Sequence, residues 1–236
     1  MKPATPLAAV LLDLDGTLLD TAPDLAQVTN VLRVAEGLEP LAYEFIRQYV
    51  SLGSRAVLRA AFPDADSERL AALQRRFLEL YRKHLVVETR LFTGFPAVLD
   101  TLEAHRIPWA VVTNKPGWLT EPLLRELGLY ERAACVISGD TLPVCKPDPL
   151  PLLEAARRIG IAPARCLYLG DALIDAQAAR GANMVGLGAR YGYVGALERP
   201  GEWPVTAWID APGELLAWVG LDGAAPPLRA GAGADA

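Results

Sequence analysis

Two aspartates one residue apart, Asp13 and Asp15, follow the apolar run Ala8-Ala9-Val10-Leu11-Leu12 and precede Gly16-Thr17. Two carboxylates held this close beside a buried strand repel each other unless a cation offsets the charge. Hard oxygen ligands suit magnesium, which takes a few carboxylates together with water and phosphate oxygens. Asp171 and Asp175, after another apolar run, supply further oxygen ligands of the same kind. Lys146 and Thr113 add a positive charge and a hydroxyl donor, the groups that stabilise charge on a transferring phosphoryl group. Gly16 and Gly170 give the backbone freedom to turn sharply beside a ligand. Taken singly, each of these also suits a turn or a helix cap. Together they point to metal-assisted phosphoryl chemistry.

The elements that must position these residues are legible as short apolar runs. Ala8 to Leu12 ends on Asp13, and Trp109-Ala110-Val111-Val112 ends on Thr113-Asn114. Cys135-Val136-Ile137 ends on Ser138-Gly139-Asp140 shortly before Lys146, and Cys166-Leu167-Tyr168-Leu169 ends on Gly170-Asp171. Continuous apolar runs, rather than alternating ones, are what strands buried on both faces require. A further run, Met184 to Leu187, and Ala207-Trp208-Ile209 extend the set. Helical stretches lie between them: Phe95 to His105, Glu121 to Leu127, Pro149 to Ile159 and Asp175 to Arg180. Strand alternating with helix predicts a doubly wound parallel sheet, an α/β Rossmann-like fold, whose ligands bind beyond the carboxyl ends of the strands.

Residues 20 to 92 break this rhythm with helical periodicity and almost no strand pattern. Helices are expected over Asp24 to Glu36, Leu41 to Val50, Arg55 to Phe62 and Glu68 to Val87, with Asp66 or Ser67 capping the last. The domain reading is therefore a catalytic core over 1–20 and 92–221 with a helical insertion over 21–91. The insertion leaves and re-enters the core at neighbouring points, which suggests a hinged lid over the crevice. The segment 222–236, rich in Ala, Gly and Pro, is expected to be a flexible tail without function.

Composition excludes several function classes. The chain has 236 residues, 52% of them hydrophobic and 22% charged, with 23 Lys plus Arg against 28 Asp plus Glu. A formal charge of −5 offers no basic face for a phosphate backbone, so no nucleic-acid partner is expected. The first apolar stretch is interrupted by Asp13, and no run of about 18 uncharged apolar residues follows. A soluble protein with no membrane partner is expected. Three cysteines without C-x-x-C spacing argue against disulfide or zinc frameworks and favour the cytoplasm. His84 and His105 read as surface residues, and Cys145 as a buried, inert thiol. Monomer and homodimer are both left open.

These residues resemble the haloacid dehalogenase superfamily of phosphatases over roughly residues 7 to 220. Its D-x-D-G-T motif matches Asp13 to Thr17, its Ser/Thr Thr113, its lysine Lys146 and its G-D-x-x-x-D Gly170 to Asp175. The insertion has the position and helical character of the family's C1 cap. The resemblance implies that Asp13 attacks phosphorus to form an aspartyl phosphate, and that Asp15 serves as general acid and then base. It further implies that Asp13, the backbone carbonyl of Asp15 and Asp171 hold Mg2+, with Asp175 supporting them. Asp15 argues against the metal-free dehalogenase branch. Residues 13–24, Thr113 to Pro116 and Lys146 to Leu153 look like bacterial phosphoglycolate phosphatases. Gly53 to Ala56, Tyr191-Gly192-Tyr193, Pro200 and Trp203 look closer to N-acetylmuramic acid 6-phosphate phosphatases. Ala172 departs from the Ser or Asp that many relatives carry there.

The expected partner is thus a small acidic phosphate ester. Asn114 and Arg55 are the candidate substrate-binding residues, because a guanidinium in the insertion can pair with the carboxylate that both leading substrates carry. A phosphomutase that returns the phosphoryl group to a sugar is the enzymatic alternative. A non-catalytic binding module on the same fold is the alternative from another class.

Overall fold

The computed structural model describes residues 6–195 and 199–223. Six parallel strands form one sheet in the order β5-β4-β1-β6-β7-β8. They are β1 (Ala9–Leu12), β4 (Trp109–Val112), β5 (Val136–Ile137), β6 (Cys166–Gly170), β7 (Val185–Ala189) and β8 (Ala207–Ile209). All four residues of β1 and of β4 are buried, as their unbroken apolar sequence requires of central parallel strands. Their side chains alternate between two cores. Val10, Leu12, Val111 and Leu169 face a core shared with α5 (Phe95–Ala104) and α6 (Gly117–Glu126). Ala9, Leu11, Ala110 and Tyr168 face a second core against α7 (Leu150–Ile159) and α8 (Leu173–Gly181). Helices on both faces of a parallel sheet are the expected doubly wound arrangement.

A short antiparallel pair, β2 (Leu19–Asp20) and β3 (Arg90–Leu91), joins the two crossings of the insertion. This ladder has no counterpart in the sequence reading, because two residues per strand leave no periodicity to detect. Between the crossings lie α1 (Ala22–Ala35), α2 (Tyr43–Arg47), α3 (Ser54–Ala61) and α4 (Ser67–Arg82). Asp66 caps α4 by accepting from the Arg69 amide at 2.8 Å. The expected continuation of that helix to Val87 is corrected. Asp24, fully buried at the start of α1, accepts from the amides of Val87, Glu88 and Thr89 and from the Thr89 hydroxyl, at 2.7 to 3.1 Å. A buried carboxylate that collects these N–H groups draws the chain out of helix and pins the returning crossing to the departing one. α6 begins at Gly117, earlier than Glu121, and carries Pro122 inside it.

The apolar face of the insertion is continuous with the core: Leu25, Leu32, Leu70 and Phe77 belong to the same buried cluster as Val10 and Leu12. His84 and His105 are exposed, as expected. The tail expected over 222–236 lies outside the described residues from residue 224 onward.

Candidate active site

The register of the central strands aligns their ends, Leu12 pairing with both Val111 and Leu169. The residues that follow therefore emerge side by side. The Asp13 amide donates to the Leu169 carbonyl at 2.9 Å, and the Thr113 amide to the Ile137 carbonyl at 2.9 Å. Asp13, Thr113 and Asp171 are thus placed by the sheet itself, at the carboxyl edge where doubly wound sheets bind ligands.

Lys146 stands at the centre of the group. Its ammonium donates to Asp13 at 2.6 Å, Asp175 at 2.8 Å, the Tyr168 hydroxyl at 2.8 Å and the Val112 carbonyl at 3.0 Å. Burial works against the charged amine, but the two carboxylates outweigh it and hold its pKa above the ordinary value. Asn114 fixes the lysine's main chain from both sides. Its amide group donates to the Lys146 carbonyl at 2.9 Å and its oxygen accepts from the Lys146 amide at 3.0 Å. Expected at the substrate, Asn114 lines the cavity but engages both polar atoms in this brace.

One oxygen each of Asp13, Asp171 and Asp175 lies within 4.8 Å of the others, and all three residues are buried. Two like charges about 4 Å apart repel by about 4 kcal/mol at the effective dielectric that suits protein sites. One ammonium among three carboxylates leaves the group with a surplus of negative charge when all are ionised. Burial, opposed only in part by Lys146, pushes the Asp13 carboxyl up to about 7. Asp171 is raised well above the ordinary range by burial, then by Asp13 and Asp175. This surplus of hard anionic oxygen fits a divalent cation such as Mg2+. The Asp175 oxygens are occupied by Lys146, Tyr168 and the Ala172 amide.

Glycines make this density possible. Gly16 has φ +82°, and a Cβ there would lie 2.1 Å from the Asp171 carboxylate. Gly170 is different from the sharp turn expected: it is the last residue of β6, and its bare Cα lets the Asp175 carboxylate approach, which a Cβ would meet at 2.4 Å.

Asp15 faces the same cavity but is held separately, by the Thr21 hydroxyl at 2.7 Å and the Lys115 ammonium at 2.9 Å. The cavity, about 350 Å³, lies between the sheet edge and the insertion. Leu25, Val50, Phe77, Leu78 and Leu119 form its apolar wall, and Ser54, Arg55 and Gln74 give it a polar end. Arg55 is exposed and makes no hydrogen bond or ion pair among the described residues. Thr113 is buried and lines the cavity, its oxygen accepting from the Lys115 amide at 3.2 Å. Cys145 is corrected from buried to exposed.

Sequence reasoning missed Lys115, Tyr168, Ser51 and Tyr193. Ser51 donates to Asp171 at 2.6 Å from the insertion, and the Tyr193 amide donates to the same carboxylate at 2.8 Å. Lys115 had a cue in its position two residues after Thr113, and Tyr193 in the Tyr191-Gly192-Tyr193 stretch.

The family model of haloacid dehalogenase-like hydrolases matches residues 10–189. The chain belongs to that family. This hydrolase is 41% identical over 211 residues to the N-acetylmuramic acid 6-phosphate phosphatase of Pseudomonas aeruginosa, covering 89% of the chain and 93% of that relative. It is 44% identical over 193 residues to the phosphoglycolate phosphatase of Nitrosospira multiformis, covering 80% and 85%. Among solved structures, a predicted phosphoglycolate phosphatase from Haemophilus somnus superposes with a TM-score of 0.81 at 25% identity, covering 91% of this chain and 99% of that one.

Proposed function

We propose that this hydrolase is a Mg2+-dependent phosphomonoesterase that works through an aspartyl phosphate on a small carboxylated phosphate ester. The enzyme hydrolyses phosphate esters, as its relatives do. The observation that carries the finer reading is the buried group of Asp13, Asp171 and Asp175 around a single lysine, beside the separately held Asp15.

Asp13 and Asp171, with the backbone carbonyl of Asp15, are assigned to the metal, and Asp175 supports them by holding Lys146. When bound, the dication neutralises charge on the phosphoryl oxygens and on the carboxylates that face them. The free oxygen of Asp13 attacks phosphorus, and the bond from phosphorus to the ester oxygen breaks. Asp15 gives its proton to the departing oxygen, which leaves as an alcohol. Asp15 then takes a proton from a water molecule whose oxygen attacks phosphorus, and Asp13 is released with inorganic phosphate. Lys146 and the Thr113 hydroxyl hold phosphoryl oxygens throughout. The insertion serves as the cap that excludes water, with Asp20 to Pro23 and Thr89 to Gly94 as its hinge.

Substrate choice rests on the cavity. A volume of about 350 Å³ exceeds what a two-carbon ester fills and reaches the lower end of clefts that enclose larger ligands, roughly 300 Å³ and upward. Its apolar wall suits a substituted sugar, and Arg55 at the polar end suits the carboxylate. N-acetylmuramate 6-phosphate is therefore favoured over 2-phosphoglycolate. No helix among the described residues is long and apolar enough to cross a membrane, and all three cysteines are free, which supports a cytoplasmic location.

The test is phosphate release, with and without magnesium, from N-acetylmuramate 6-phosphate, 2-phosphoglycolate, hexose phosphates and an aryl phosphate. Turnover should require magnesium and be abolished in Asp13→Asn. Arg55→Ala should raise KM far more for the carboxylated esters than for the neutral ones. Equal effects on both would remove Arg55 from substrate recognition.

A further inference from the structure

Lys115 is a second buried lysine at the site, and the chemistry described so far leaves it without a task. Its side chain is 6% exposed, yet its ammonium reaches both oxygens of Asp15, at 2.9 and 3.2 Å. Together with the Thr21 hydroxyl at 2.7 Å, these contacts fix the plane of the carboxylate as well as its position. The base of the lysine is itself anchored. Its amide donates to the Thr113 oxygen at 3.2 Å, and its carbonyl accepts from the Gly139 amide at 2.9 Å and the Thr120 hydroxyl at 3.1 Å.

The far side of the ammonium belongs to the insertion. Tyr81, 1% exposed near the end of α4, accepts from Lys115 at 3.1 Å, and its ring centroid lies 4.5 Å from the ammonium. An ammonium has three donors and no preferred plane, so its direction is set by its acceptors. Here those acceptors are Asp15 in the core and Tyr81 in the insertion.

We propose that Lys115 is a positioning residue. It holds the Asp15 carboxylate in the orientation from which a proton passes to the departing oxygen, and Tyr81 makes that orientation depend on the insertion being seated. The inference rests on the proposed role of Asp15 as general acid and base.

The test compares two esters that differ in their need for a proton donor. A sugar 6-phosphate must leave as an alcohol and needs the proton, whereas 4-nitrophenyl phosphate leaves as a stable anion. In Lys115→Met the ratio of kcat/KM for the sugar ester to kcat/KM for the aryl ester, which reports the phosphoryl-transfer step and not the later hydrolysis that the two esters share, should fall by roughly tenfold or more, towards the roughly 10²–10⁴-fold that a general acid supplies. Tyr81→Phe, which keeps the ring and removes the hydroxyl, should lower the ratio in the same direction by less. It also serves should Lys115→Met fail to fold. Lys115→Arg, which can donate to both oxygens, should recover part of the loss. An equal fall for both esters, or no fall, would overturn the inference while leaving the phosphatase reading intact. Absence of turnover of either ester by the wild-type protein would overturn both.

Discussion

Three donors converge on Asp171: the Ser51 hydroxyl at 2.6 Å, the Tyr193 amide at 2.8 Å and the Thr17 hydroxyl at 3.3 Å. They satisfy its oxygens without neutralising its charge, and burial with two carboxylate neighbours keeps the group well above its ordinary range. Asp13 follows, raised from 3.8 to about 7 by burial. Carboxyls whose folded-state pKa is raised bind more protons folded than unfolded. Their contribution is fully present below the unfolded value and is lost as pH rises through the folded one. Stripped of divalent ions, the protein should melt at a lower temperature near about pH 8 than near about pH 5.5. Magnesium should raise the midpoint more at the higher pH. Thermal denaturation in chelator and in magnesium chloride checks this, and equal magnesium shifts at both values would contradict it. The residues behind this behaviour were legible in part. Asp13, Thr113, Lys146 and Asp171 each follow a recognisable strand or loop, so sequence order places them. Ser51 and Tyr193 reach Asp171 from 120 and 22 residues away, and no local pattern encodes such a meeting.

Among the elements, α8 begins with a deficit. Ala172 occupies its N-cap with extended backbone, φ −123° and ψ 154°, but has no side-chain oxygen to accept from the first turn. Asp175 reaches back to the Ala172 amide at 3.0 Å, so half of a reciprocal cap is present. Ala172→Ser should complete it and stabilise the protein by about 1 kcal/mol. That corresponds to a rise in melting temperature of about 2–4 °C, and no rise would show that the buried hydroxyl finds no donor. Strands and most helices were readable from apolar runs and Gly stops. The end of α4 was not, because Asp24, far earlier in the chain, dictates it. Nor were β2 and β3, whose pairing is set by the closure of the insertion on itself.

For the molecule as a whole, the insertion is not an independent ball on a tether. Leu25, Leu32, Phe77 and Tyr81 share one buried cluster with Leu12, Val111 and Leu169 of the sheet. Lys115 and Tyr81, Ser51 and Asp171, and Arg47 and the Gly192 carbonyl add polar ties across the same boundary. Calorimetry should therefore record a single cooperative transition, and two resolved transitions would contradict that continuity.

The place of β1 in the sheet carries a further consequence. Of the sheet's six strands it is the first to be synthesised, yet its partners are Trp109 to Val111 on one side and Cys166 to Leu169 on the other. A nascent chain thus holds Ala9 to Leu12, all bound for the interior, without either neighbour while the helices that follow are made. Pairings this distant are slow to form because a long loop must close first. During synthesis the helical segment can gather its own local contacts early. The edge that carries the candidate site cannot assemble until β6 arrives and carries Asp171 to its place beside Asp13.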